Sequence, residues 1–312
     1  MYSDVKDFGE PAKPAWIRVR LPSGAAYDAV RDLKHRKLLH TVCESALCPN
    51  IGECWQMGHA TFMILGDGCT RNCRFCAVGD QPEPPDPDEP RRVAEAVRSM
   101  GLKHAVITSV TRDDLSDGGA GLFAETIAAI PRLVPETTVE VLIPDFQGSR
   151  SALDSVMAAG PDILGHNVET VPRLYPRARP KADYQQSLTL LKNAKTIDPE
   201  MITKSGIMLG LGETESELLE TSAQIRAAGV DILTLGQYLR PGPAHLPVRR
   251  YYPPAEFESL KARTKDMGFS WVEAGPLVRS SYRAERQARA LCKGKQGERR
   301  KVLNDIRRAM ER

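Results

Sequence analysis

Short apolar runs rich in β-branched residues recur at positions 61–65, 105–110, 138–143, 163–168, 202–209 and 232–238. Each has the length and composition of a strand buried on both faces. Between them, apolar residues fall at helical spacing over 91–100, 122–133, 151–159, 184–197 and 215–228. The last of these helices opens on Thr214 with Glu217 three residues on, a capping box, and it stops before Gly229. This regular alternation predicts an α/β fold with a parallel sheet and right-handed crossovers. A complete eight-fold barrel takes about 250 residues, and six strand runs are too few for it. The expected architecture is therefore an open, partial (β/α)6, TIM-like barrel, with functional residues at the C-terminal ends of its strands.

The flanks follow other patterns. Residues 1–39 are rich in proline and basic residues without a sustained period, which predicts an extended arm around a larger body. Residues 79–90 hold five prolines and five carboxylates and read as a surface loop. From 293 to 312, eight basic residues face three acidic ones, with Val302, Leu303, Ile306, Ala309 and Met310 at helical spacing. That pattern predicts a terminal helix with solvated charges. The expected organisation is an N-terminal extension over 1–60, a barrel over 61–275 and a C-terminal extension over 276–312.

Composition narrows the function classes. With 43 Lys and Arg against 40 Asp and Glu, the net charge is +3. The tail's surplus accounts for all of it and leaves the rest of the chain slightly acidic, so neither a nucleic acid nor an anionic membrane is an expected partner. At 41% hydrophobic and 27% charged residues, the chain is of ordinary globular composition. Its apolar runs are much shorter than the roughly 18 to 20 residues of a membrane span, and residues 1–16 lack the apolar core of a secretory signal. A soluble protein of a reducing cytoplasm is expected.

In that compartment clustered cysteines suggest metal or redox chemistry rather than disulfides. Six of the seven cysteines lie between Cys43 and Cys76. Cys69, Cys73 and Cys76 form CxxxCxxC directly after the run at 61–65 and the glycines Gly66 and Gly68. A loop this compact can wrap three thiolates around one side of a [4Fe-4S] cubane and leave the fourth iron open to a small-molecule ligand. Structural zinc normally takes four ligands, commonly from paired CxxC knuckles, and this spacing fits that poorly. Cys43, Cys48 and Cys54 make a second triplet, CxxxxCxxxxxC, again one ligand short of a full set. Cys292 belongs to neither triplet and reads as a non-ligand thiol. The six histidines include no pair at a metal-ligand spacing.

CxxxCxxC with Phe75 before its last cysteine resembles the radical S-adenosylmethionine (SAM) enzymes. Other segments resemble that superfamily too: 206–213, Gly-Ile-Met-Leu-Gly-Leu-Gly-Glu, looks like the strand that packs its backbone on adenine. Asn167 and Glu169 stand where the superfamily contacts ribose, and His166 reads as a neighbouring strand-end residue. The run Asp117-Gly118-Gly119-Ala120 departs from the usual Gly-Gly-Glu. The two cysteine triplets together resemble the lipoyl synthases, as do 108–115 (TSVTRDDL), 140–146 (EVLIPDF), 166–169 (HNVE), 204–206 (KSG), 235–238 (LGQY) and 279–282 (RSSY). Arg283, where that family often has His, and the long basic tail are departures.

The resemblance implies a sulfurtransferase with two [4Fe-4S] clusters. Cys69, Cys73 and Cys76 would hold the cluster that chelates and reductively cleaves SAM, with Phe75, Asn167, Glu169, Gly206, Met208 and Gly210 around the SAM. Cys43, Cys48, Cys54 and Ser281 would hold an auxiliary cluster that is consumed as the sulfur source. Oxygen ligation at Ser281 is harder and less tenacious than thiolate ligation, which suits a cluster that must be given up. The implied reaction inserts two sulfur atoms at C6 and C8 of an octanoyl chain on a carrier lysine, with two SAM spent per lipoyl group. Implied partners are octanoylated lipoyl carrier domains, as in 2-oxoacid dehydrogenase E2 subunits and the glycine cleavage H protein. A one-electron donor such as flavodoxin or ferredoxin and an iron-sulfur carrier protein would complete the set. Arg173, Lys204 and Arg279 are candidates to position SAM or the bound peptide. The competing readings are a different radical SAM enzyme with an auxiliary cluster, and a non-catalytic metal-bearing protein.

Overall fold

The computed structural model describes residues 10–292; the basic tail and its expected helix lie outside them. One eight-stranded sheet runs in sequence order through β1 (His40–Thr41), β2 (Thr61–Ile64), β3 (His104–Ser109), β4 (Thr138–Leu142), β5 (Ile163–Gly165), β6 (Ile202–Leu209), β7 (Ile232–Gln237) and β8 (Trp271–Gly275). β1 is antiparallel to β2, and every later pairing is parallel. The six strands expected from the sequence are β2 to β7, each within a few residues of the predicted bounds.

Between the parallel strands lie α4 (Glu89–Ser99), α5 (Ala120–Leu133), α6 (Arg150–Ala158), α8 (Tyr184–Ile197), α9 (Glu215–Ala227) and α10 (Pro254–Lys265), with a short α7 (Tyr175–Ala178) ahead of α8. Val93, Val97, Phe123, Ile127 and Val156 of α4 to α6 pack on Phe62, Ile64, Ile107 and Val141 of β2 to β4. A second core joins Leu218, Ile225, Phe257 and Leu260 of α9 and α10 to Ile207, Leu209, Leu233, Leu235 and Val272. Both interiors are strand faces closed by helix stripes. The predicted capping box at α9 is present: the Thr214 hydroxyl accepts from Glu217 N, and the Glu217 carboxylate accepts from Thr214 N.

Some expectations are corrected. A seventh parallel strand, β8, and its preceding α10 extend the series of six, because the α10 pattern is interrupted by charges and β8 alternates buried and half-buried residues. The arm over 1–39 contains α1 (Ala25–Arg36), where Asp28 stands in the first turn and Lys34, His35 and Arg36 in the last. Charges so placed favour a helix, and Val30 alone is fully buried, too weak an apolar signal to read from the sequence. The loop after Gly79 ends earlier than position 90, since Glu89 and Pro90 already belong to α4 and proline suits a first helical turn.

The sheet curls without closing, β1 and β8 being its edges. The curl follows from α11 (Ala284–Leu291), which touches β3 and also packs with Ile163, Ile202, Ile232 and Trp271, the first residues of β5 to β8. A helix of this length spans only about 12 Å, so those strand beginnings must converge around it. The short helix α2 (Val42–Ser45) lies beside β1 and β2, and α3 (Ile51–Gln56) packs against α1.

Candidate functional site

The CxxxCxxC loop leaves the C-terminal end of β2 and is tied down on several sides. Cys69 N donates to Gly79 O at 2.8 Å, Thr70 N to Thr111 O at 3.0 Å and Arg74 N to Ala178 O at 2.9 Å. His245 Nε2 lies 3.0 Å from Cys76 O. At its centre the buried Arg71 donates from Nε to Asp113 at 2.6 Å and through both terminal nitrogens to Asp145 at 2.7 Å. Burial alone would raise the Asp145 pKa, but hydrogen bonds and charge from Arg71 outweigh it and hold the carboxyl at about 2. The loop between Cys69 and Cys73 is thus locked to the ends of β3 and β4.

The three thiols share this one loop, although among the described residues no three His, Cys, Asp or Glu side chains are placed to hold a single metal ion. Burial pushes Cys76 up to about 12, with Cys73 and Cys69 adding to the rise. Cys73 is raised by burial and partly relieved by Arg179. Thiols that oppose one another's ionisation are complemented by a cationic iron core, which favours thiolate. The donor set therefore fits a cluster.

Around that loop stand the residues expected near SAM. Glu169, at φ 71°, runs beside β6: its N donates to Gly206 O at 2.9 Å and its O accepts from Met208 N at 2.8 Å. A side chain at Gly206 would collide with Thr234 Oγ1 at 2.5 Å. Gly210 has φ +103°, and a Cβ there would meet Gln237 Nε2 at 2.2 Å and Arg250 O at 2.5 Å. Both positions need glycine. Glu213 folds back so that its carboxylate accepts from the N–H groups of Gly210, Leu211 and Gly212 at 2.6, 3.0 and 3.0 Å, fixing the turn after β6. Phe75 and Met208 pack in one apolar cluster with Leu174, Tyr238 and Val248. His166 is buried between Ile143 O and Ser187 Oγ, and burial lowers its pKa to about 4, so it is a neutral strand-end residue.

The first triplet lies elsewhere, beside the beginnings of β2 and β3. Cys43 is on α2, Cys54 on α3 and Cys48 between them. One cavity is lined by all three, by Thr61, His104 and Val106, and by Arg279, Ser281 and Tyr282. Burial, then the neighbouring Cys48, raises Cys43 to about 11; burial, then Cys43 and Cys48, raises Cys54 to about 12. Ser281 is thus the RSSY serine beside these thiols, while Ser280 accepts from Asn167 Nδ2 at 2.6 Å. The segment after β8 is pinned to the N-terminal extension: Asn50 Nδ2 donates to Leu277 O at 2.7 Å and the Tyr282 hydroxyl to Glu53 at 3.2 Å.

Arg279 joins the two groups. Burial lowers its pKa, opposed by the charges of Cys48 and Glu169; Glu169 in turn raises Cys73 and Cys76. Arg279 thus lines the cavity of the first triplet and is also influenced by Glu169.

Arg279 is where a positioning residue would be useful, but the other two candidates are engaged elsewhere. Lys204 is fully buried and pairs with Glu140 at 2.7 Å, and Glu140 also holds His104 at 3.1 Å. Arg173 pairs with Glu217 at 2.6 Å on the surface. Asp117 accepts from Gly119 N and Gly121 N at 2.8 Å, capping the start of α5. Cys292 is buried among Ile163, Ile232 and Ala288, in a different cluster from both triplets. Arg179, which carries no spacing signal, was not expected: it bonds Asn167 O, Val168 O and the Tyr175 hydroxyl at 3.2 Å and acts on Cys73. The Arg71 anchor was equally invisible, since its partners come from two other strands.

Among the described residues, no helix is long and apolar enough to cross a membrane. Residues 63–225 match the family model of the radical SAM superfamily. The chain is 55% identical over 292 residues to lipoyl synthase of Rubrobacter xylanophilus, covering 93% of this chain and 91% of the relative. It is 57% identical over 277 residues to lipoyl synthase of Thermus thermophilus, covering 88% and 86%. Among solved structures, Streptococcus suis SuiB bound to S-adenosylmethionine aligns at TM-score 0.55 and 11% identity, over 73% of this chain and 54% of that one. Methylornithine synthase aligns at 0.50 and 12%, over 68% and 69%. The structural likeness supports the partial-barrel fold, and the sequence identity goes further: the chain belongs to the lipoyl synthases, sulfurtransferases of the radical SAM superfamily.

Proposed function

We propose that this chain inserts two sulfur atoms, at C6 and C8, into an octanoyl chain carried on a lysine of a lipoyl carrier domain. The reading is supported by two separate thiol triplets, one on the CxxxCxxC loop after β2 and one lining a cavity with Arg279 and Ser281, in a chain that belongs to the lipoyl synthases. Cys69, Cys73 and Cys76 would hold a [4Fe-4S] cluster able to supply the electron for SAM cleavage, and Cys43, Cys48, Cys54 and Ser281 would hold a second cluster able to supply sulfide. The remaining work falls to the protein. Arg71, Asp113 and Asp145 hold the CxxxCxxC loop, and with it the three thiols, in one arrangement. Asn167 and Glu169 would contact the nucleoside, and Gly206 and Gly210 let β6 and the turn after it pack closely on Thr234, Gln237 and Arg250. Phe75, Met208 and their apolar neighbours keep water from a radical that water or reductant would quench. Arg279 offers a cation between the triplets, suited to an amide carbonyl or carboxylate of the bound peptide.

In this reading the chain divides into an extension over 1–60, the barrel over 61–275 and a closing segment from 276. The substrate is an octanoylated carrier of the E2 or H-protein kind. A flavodoxin or ferredoxin brings electrons, an iron-sulfur carrier restores the spent cluster, and the setting is the cytoplasm.

The test is anaerobic reconstitution, iron and sulfide counting, and turnover of an octanoyl-lysine peptide. The intact chain should hold about eight irons, two cubanes. Cys43→Ala should make deoxyadenosine but insert no sulfur, and Cys69→Ala should make neither product. Ser281→Ala should impair insertion more than Ser280→Ala. A chain holding about four irons and yielding no thiolated peptide would overturn the reading.

A further inference from the structure

Trp55 stands among the first triplet and has a donor with nowhere to go. Its side chain is fully buried. Its ring lies 5.0 Å from that of Tyr27, and it packs in one cluster with Cys43, Cys48 and Cys54. A tryptophan so enclosed normally finds an acceptor for its indole N–H, yet Nε1 has none in hydrogen-bonding geometry. Of the three sulfurs in its cluster, that of Cys43 is the buried one. A neutral thiol is a weak acceptor, so the protein alone leaves the donor poorly satisfied. A sulfur that carries thiolate charge is a much better one. The fault in the metal-free chain is the kind that ligation of Cys43 to iron would repair.

We propose that Trp55 is a positioning residue for the auxiliary cluster, its indole N–H donating to Cys43 Sγ once that sulfur ligates iron. The inference rests on the two-cluster reading above. Such a bond withdraws charge from the sulfur and stabilises the more negative, reduced cluster, so it raises the reduction potential. It also holds Cys43 in place, as outer partners do for metal ligands in general.

The experiment uses the full chain carrying Cys69→Ala, Cys73→Ala and Cys76→Ala, reconstituted so that only the first triplet can hold iron. A count near zero rather than about four irons would remove the two-cluster reading, and this inference with it. With the irons present, tryptophan labelled with nitrogen-15 in the indole ring is incorporated and the reduced cluster is examined by pulsed electron paramagnetic resonance in ordinary and heavy water. A coupling to the indole nitrogen and to an exchangeable proton is expected. It should survive Trp16→Phe and Trp271→Phe and vanish in Trp55→Phe. The Trp55→Phe cluster should also be harder to reduce, by roughly tenfold in the equilibrium constant, about 59 mV for one electron. Absence of the coupling in the chain that keeps Trp55, with its irons counted, overturns the proposal. That measurement needs no Trp55 variant, so it decides even where Trp55→Phe does not fold. A folded Trp55→Phe protein with an unchanged potential overturns the proposal as well.

Discussion

Replacing Asp145 by asparagine should unlock the cysteine loop from the barrel. The Asp145 side chain is fully buried and takes two hydrogen bonds from Arg71, whose own side chain is 6% exposed. The carboxyl is held at about 2 against an ordinary value of 3.8. At about 1.4 kcal/mol per unit, that difference corresponds to about 2 kcal/mol of stability at neutral pH. Asparagine keeps the shape and one acceptor but loses the charge, so most of this should disappear, with a fall in melting temperature of roughly 4 to 8 °C. The pH dependence has a definite sign. Because the folded value lies below the unfolded one, the stabilisation is complete above about pH 4 and fades as the pH falls toward 2. The gap between the two proteins should therefore be constant from pH 5 to 8 and narrow below pH 4. Guanidinium unfolding of the metal-free chains, followed by circular dichroism, reads the stability; iron counting after reconstitution reads the loop, and Asp145→Asn should retain less iron than wild type. An Asp145→Asn protein within about 0.5 kcal/mol of wild type and with full iron would refute the argument that Arg71 anchors this loop through a charge pair.

Lys204→Met should cost about 3 to 5 kcal/mol, because it strands the buried Glu140 carboxylate with His104 alone, whereas Lys204→Met with Glu140→Gln should recover much of the loss; a double-mutant cycle in urea measures the difference. Glu89 is raised to about 7 by burial, with the Leu65 amide at 2.8 Å working the other way. Its folded value lies above the unfolded one, so stability should decline by up to about 3 kcal/mol as the pH rises from 4.5 through 7, and Glu89→Gln should flatten that slope in pH-dependent denaturation. Gly210→Ala forces a methyl group into Gln237 and Arg250 at a left-handed position. It should weaken SAM binding at least tenfold by equilibrium dialysis, while Gly160→Ala, with nothing within 4 Å of its added Cβ, should leave binding unchanged.

The sequence by itself determined the parallel α/β architecture, because strands buried on both faces must be continuously apolar and helices covering them must repeat at their own period. It also displayed the two cysteine triplets, whose members lie close together along the chain. Local rules were enough for the capping box at Thr214. What stayed hidden was whatever depends on residues far apart in sequence. The weak stripe of α1 and the charge-broken pattern of α10 conceal real helices, since packing rather than propensity stabilises them. Lys204 looked available and is spent inside the barrel on Glu140, 64 residues away. Ser280 and Ser281 look alike in the sequence, and only the tertiary structure separates them: Asn167 bonds the Ser280 hydroxyl, and Ser281 lines the cavity of Cys43, Cys48 and Cys54. Arg71, Arg179 and Trp55 carry no pattern of their own. Their roles arise only where the curl of the sheet brings separate strand ends and both extensions together, because charge and hydrogen bonding act over a few ångströms of space, whatever the distance along the chain.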